Sequence, residues 1–140
     1  MVHAVPALFK GRVTMNNKRI GMQFEQEMCR ILSEKGYWVH FISPDNRGAQ
    51  PFDLIFAKDG LAFAADCKTS KDMYIRWNRL EDNQILAFEK WMSCGNGDPF
   101  IFVKCNNSVF CITYTDLKFF KVINLRDRSP YYVFPSRKQN

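Results

Sequence analysis

Asp59-Gly60, set between the apolar runs Phe52–Lys58 and Leu61–Lys68, restricts what this chain can fold into more than any other feature of its sequence. A two-residue loop of type I′ needs φ > 0 at both central positions, and Asp-Gly between two strand-like runs is the strongest short-range signal for it. Counting outward from that turn sets Lys58 opposite Leu61, Ala57 opposite Ala62 and, further along, Asp53 opposite Asp66. Strand side chains alternate with period two, so Lys68 shares the face of Asp66 and Cys67 points the other way, as a core thiol. Facing carboxylates with Cβ atoms about 4.5–5.5 Å apart repel one another. A divalent cation with a taste for oxygen ligands, such as Mg²⁺, is the simplest thing that offsets the repulsion. The plainer alternative is that one Asp points to solvent, or that Lys68 alone neutralises the pair.

Composition bounds the class. With 140 residues, 46% of them hydrophobic, the chain is read as one globular domain, 1–140, with an N-terminal arm over 1–17 and a basic C-terminal tail over 126–140. Lys and Arg number 20 against 14 acids, a balance that points to a polyanionic partner, nucleic acid before an anionic membrane. The five cysteines lack C-x-x-C spacing, and neither His3 nor His40 lies at zinc-ligand spacing from one, so free thiols in a reducing compartment are expected. No apolar run approaches the roughly 20 residues of a membrane span, and the N-terminus lacks a signal-peptide core. These features predict a cytoplasmic protein with no membrane partner.

Along the chain, Ile20, Phe24, Met28, Ile31 and Leu32 recur at helical spacing between Asn17 and Lys35, with Gly36 as C-cap. Glu25 borders that stripe, where a carboxylate is costly unless a cation or hydrogen-bond partner meets it; otherwise it merely reaches the rim of the core. Glu27 has Gln23 and Arg30 as helical neighbours, an ordinary solvated setting. Tyr37–Ile42 reads as a strand with a half-buried structural His40, and Ser43–Gln50 as a loop carrying Arg47. After the hairpin, Lys71, Arg76 and Arg79 interleave with Tyr74 and Trp77, a pattern that suits a nucleic-acid backbone or a loop whose aromatics pack down. Asn78 and Glu81 resemble a capping box opening a helix with Ile85, Leu86, Phe88 and Trp91 as its apolar surface. Pro99–Cys105 and Val109–Tyr114 make a second hairpin around Asn106-Asn107-Ser108, and Thr115 caps a short helix through Phe120. Tyr131, Tyr132 and Phe134 are left for an interface or a final edge strand. The order α-β-β-β-α-β-(β)-α predicts an α/β (α+β mixed) fold, a central mixed sheet flanked by helices, with the carboxylates gathered at one edge of the sheet.

Glu25 in the first helix, Asp53 after Pro51, and Asp66-Cys67-Lys68 on the next strand resemble the PD-(D/E)xK nuclease superfamily and its restriction-endonuclease-like core. Within it, Arg19-x-Gly21-x-x-Phe24-Glu25 resembles the opening of Holliday junction resolvases, the archaeal Hjc type and the Gram-positive bacterial RecU type alike. Lys68-Thr69-Ser70 and Gln84 lean toward the RecU type. Two departures are Phe52, which separates Pro51 from Asp53, and Asp66, where Glu is commoner. The chain is also short for a RecU-type protein, as a phage-encoded version would be.

The resemblance implies an Mg²⁺-dependent endonuclease, with Mn²⁺ expected to substitute, that hydrolyses phosphodiester bonds at branched or four-way DNA junctions in recombination and repair. Asp53, Asp66, the backbone carbonyl of Cys67 and Glu25 are the implied metal ligands. Lys68 would orient water or stabilise the transition state, and Gln84 would work beside the metal or phosphate. Lys18, Arg19, Lys71, Arg76 and Arg79 would hold the DNA backbone. Cutting two symmetrically placed strands implies a homodimer, and the location would be the nucleoid, or the host cytoplasm if phage-encoded. The rivals are another PD-(D/E)xK endonuclease on duplex DNA (restriction-like, homing or repair), a non-catalytic DNA-binding domain with a relict site, and a basic protein–protein module.

Overall fold

The computed structural model describes residues 16–42 and 51–136, with the side chains of 16–19 excepted. Arg47 and the reading of 43–50 as a loop lie outside the described residues, as does most of the N-terminal arm. Helix α1 (Asn16–Glu34) is built on the apolar stripe, and Phe24, Met28, Ile31 and Leu32 are buried along it. Ile20 is not: it is 50% exposed. The helix stops at Gly36, which adopts φ +94°; Gly36 N–H donates to Ser33 O and Tyr37 N–H to Leu32 O, the paired closing bonds of a glycine-terminated helix.

The next elements are β1 (Trp38–Phe41), β2 (Leu54–Lys58) and β3 (Leu61–Thr69). Asp59 and Gly60 adopt φ 54° and 80°, both positive as a type I′ turn demands, and Lys58 pairs with Leu61. The ladder keeps the counted register as far as Leu54 opposite Ala65, and there it ends. Asp53 donates its N–H to Ala65 O, one residue off that register, so it stands just outside the ladder instead of continuing it.

Strands β4 (Tyr74–Arg76), β5 (Phe100–Cys105), β6 (Ser108–Thr113), β7 (Val122–Asn124) and β8 (Tyr132–Val133) complete the set, with helices α2 (Asp82–Ser93) and α3 (Tyr114–Phe120) between them. The main sheet runs β1-β2-β3-β5-β6-β8, antiparallel except for the central parallel pair β3–β5. The α1 face buries Leu54, Phe56, Ala65 and Phe102. The opposite face buries Ala64, Ile101, Val103 and Ile112 under Phe88 of α2 and Leu117 of α3.

The structure departs from the sequence expectations at identifiable places. Asp66 stands on β3, the third strand of six, and Asp53 just before β2, the second, so the pair is not on an edge strand. Residues 74–76 form no loop; β4 pairs with β7 as a separate two-stranded ribbon, because Ile75 and Ile123 can both turn into the core. Helix α2 begins at Asp82 behind Glu81, whose N–H donates to Gln84 Oε1 at 3.0 Å, while Asn78 falls in a 3₁₀ turn over Trp77–Arg79. Leu86 is 71% exposed: one helical position past Ile85, it rotates away from the sheet. The cap of α3 is Thr113, whose Oγ1 accepts from Asp116 N–H, not Thr115. His40 is exposed and stacks on Trp38 with ring centroids 6.0 Å apart, where a half-buried residue was expected. The end of the chain supplies the edge strand β8, and Tyr131, Tyr132 and Phe134 pack on the α1-side core. Among the described residues no helix is long and apolar enough to cross a membrane, and the five cysteines are unpaired.

Candidate active site

Asp66 lies in mid-sheet on β3, its side chain 1% exposed, with its register partner Ile101 on β5. Each oxygen has its own neighbour. Oδ1 accepts from Gln84 Nε2 at 2.9 Å; Oδ2 lies 2.9 Å from Lys68 Nζ, an ion pair without hydrogen-bond alignment. Gln84 reaches this point because it is the third residue of α2: its Oε1 accepts from the Glu81 N–H at the helix mouth and from Lys68 Nζ at 3.4 Å. One amide therefore ties an acid, an amine and a helix start together.

Asp53 enters from the break in the β2–β3 ladder, where its Oδ2 accepts the Cys67 N–H at 2.7 Å. It also hydrogen-bonds to Asp66 and to Glu25, which α1 delivers from the other layer. The cost of gathering three acids is visible in their titration. Burial, and then the charge of Asp66, push Glu25 up to about 7, against the pull of Lys68 and the Asp53 hydrogen bond. Burial first, then Asp66 and Glu25, hold Asp53 well above the ordinary carboxylate range. Cys67 is driven up by burial and by the three acids beside it, and a neutral thiol is a poor nucleophile.

These residues fit a divalent cation. Asp66 Oδ2 is sealed from water with no hydrogen bond aligned on it, and a hard cation takes such carboxylate oxygens. Among the described residues no group of three or more His, Cys, Asp or Glu side chains sits at metal-holding geometry; Asp53 meets both Asp66 and Glu25.

Beside the cluster opens a groove of about 870 Å³ between the start of α1 and the end of β3. Lys68, Lys71, Arg79 and Lys104 line it. Lys71 is exposed, and Arg79 donates to Thr69 O at 2.9 Å. Arg76 stands outside the groove, paired with Asp72 at 2.8 Å. The side chains of Lys18 and Arg19 lie outside the described residues. Sequence reading missed Lys104, whose Nζ meets Glu27 Oε1 at 2.9 Å, and so misjudged Glu27 as merely solvated. Alternation along β5, which turns Phe100 and Phe102 toward α1, was the signal that would have put Lys104 on that face too.

The model of the archaeal Holliday junction resolvase (Hjc) family matches residues 16–138, which take in the whole acidic cluster and the groove. This chain belongs to that family. Membership places it in the PD-(D/E)xK superfamily and makes it a junction-resolving endonuclease; of the two resolvase types it resembles, the matching model is the archaeal one. The fold of the Holliday junction resolvase Hjc from the archaeal hyperthermophile Archaeoglobus fulgidus is similar, with a TM-score of 0.54 over 66% of this chain and 75% of that one at 12% identity. No curated protein matches the sequence.

Proposed function

We propose that this resolvase is an Mg²⁺-dependent endodeoxyribonuclease, with Mn²⁺ as a working substitute, in which Asp53, Asp66 and the Cys67 carbonyl hold the ion and Glu25 completes the site. The observation that carries the reading is Asp66: a fully buried carboxylate with one oxygen fixed by Gln84 and the other left to a cation and Lys68. When bound, the ion lowers the pKa of a coordinated water and offsets charge on the scissile phosphate. The protein's own groups do the rest. Lys68, oriented between Asp66 and Gln84, donates to the attacking water or to a phosphate oxygen as charge builds. Gln84 keeps that amine and Asp66 in register and is a positioning residue. Lys18, Arg19, Lys71, Arg76 and Arg79 hold the DNA backbone, which makes binding strongly salt-dependent. The protein works as a homodimer in the cytoplasm, at the nucleoid or, for a phage-encoded chain, in the host.

The test is cleavage of a synthetic four-way junction beside a matched linear duplex, each with Mg²⁺ and with EDTA. Junction-selective, EDTA-sensitive cleavage is expected. Equal cutting of both DNAs would shift the reading to a duplex endonuclease, and cutting in EDTA would remove the metal from it.

A further inference from the structure

The β4–β7 ribbon turns one face inward, through Ile75 and Ile123, which are buried. By alternation the other face carries Tyr74 and Arg76 outward. Two cations from a much later stretch of chain join them, Arg126 on that same face and Lys121 at the end of the ribbon, beside Trp77. The Arg126 guanidinium lies 5.7 Å from the Tyr74 ring centroid, with that of Arg76 at 5.4 Å, and Lys121 Nζ lies 4.5 Å from the centroid of Trp77. Arg76, Lys121 and Arg126 are all exposed. Arg76 is partly offset by Asp72; among the described residues neither Lys121 nor Arg126 has an ion-pair partner.

Holding a long cation against an aromatic ring reduces the freedom it would lose on binding, so the charge is presented in advance. A guanidinium lying against a ring still directs its in-plane N–H groups sideways, as a phosphate requires. The ribbon is continuous with the groove, because Asp72 both lines the groove and anchors Arg76.

We propose that the outer face of the β4–β7 ribbon and its Trp77 end, with Arg126 on the face and Lys121 at the end as the principal cations, form a second backbone site that grips duplex DNA flanking the cut phosphate. The inference rests on the nuclease reading and adds a contact surface to it. Tyr74 and Trp77 serve here as platforms for the cations. Of the segment's two aromatics, Trp77 packs on the core and Tyr74 faces outward, and each holds a cation.

The test compares wild type with the double variant Lys121→Asn, Arg126→Gln. Asparagine suits the φ of 68° at position 121. Binding to a long-armed junction is measured across a salt series in Ca²⁺, and melting curves of both proteins check folding. Losing two phosphate contacts should flatten the slope of log K against log salt by about 1.8 and weaken binding at low salt by about tenfold or more. On a junction whose arms are cut back to a few base pairs, the two proteins should bind alike. Equal affinity and slope on long arms overturns the proposal. So does an equal loss on both substrates, which would place the contact at the crossover. If the double variant melts early, Arg126→Gln alone should give half the slope change, and none would overturn the proposal. Wild type that binds no DNA would sink the nuclease reading itself, a result distinct from these.

Discussion

Asp66 is held by three parts of the chain at once: Gln84 from α2, Lys68 two residues along its own strand, and Asp53 from the break before β2. Replacing it with Asn keeps the shape but removes the charge that a cation and Lys68 both need. Asp66→Asn should lower single-turnover junction cleavage by at least about a thousandfold, the scale of losing a preorganised charge at the reacting centre. Binding to the same junction should stay within a few-fold. Undiminished cleavage would remove Asp66 from the site. Glu25 makes a different prediction, read in stability. Its folded pKa of about 7 lies above the ordinary 4.5, so the proton it binds favours the folded state. That contribution is full below about 4.5 and is lost as pH rises through about 7, and Asp53 acts in the same direction. In EDTA the melting temperature should therefore fall between pH 5 and pH 8, relative to Glu25→Gln, whose profile should be flatter. Adding Mg²⁺ should raise the melting temperature most at the alkaline end, where the acids are ionised. A flat wild-type profile in EDTA would show that the three acids do not burden one another.

Among the elements, the β2–β3 hairpin was the most legible, because Asp59-Gly60 admits one tight turn and that turn admits one register. Gly60 sits at φ +80°, and a Cβ there would touch nothing within 4 Å, so Gly60→Ala isolates the backbone cost. Urea unfolding should show a loss of about 1–2 kcal/mol. No measurable loss would mean that the turn relaxes to another type. The helices were legible from their stripes and from Gly36. What could not be read was set by long-range pairing. Three-residue strands such as β4 and β7 have too little period to declare themselves, and they exist only because Ile75 and Ile123 find the same pocket of core. The break that turns Asp53 out of the ladder is equally silent in sequence: counting from the turn assumes that pairing continues, and a carboxylate that takes a backbone N–H in place of a carbonyl ends it. The Glu27–Lys104 bridge joins residues too distant in sequence for helical spacing to suggest it.

At the scale of the molecule, each chain brings one acidic cluster, whereas a four-way junction offers two scissile bonds related by a two-fold axis. A symmetric pair of chains meets both with one interface repeated. Sedimentation equilibrium should give a species of twice the chain's 16.4 kDa, alone or on a junction. A single chain per junction at every concentration would argue against paired cutting. The central parallel strands have a consequence in time as well as in space. Neighbours that run the same way can meet only after the crossover between them has been made, and here that crossover includes α2 and its Gln84. A polypeptide interrupted on the ribosome before Phe100 already carries every acid of the cluster, yet lacks the strand against which Asp66 is laid. The acids are thus synthesised well before the strand that completes the sheet around Asp66.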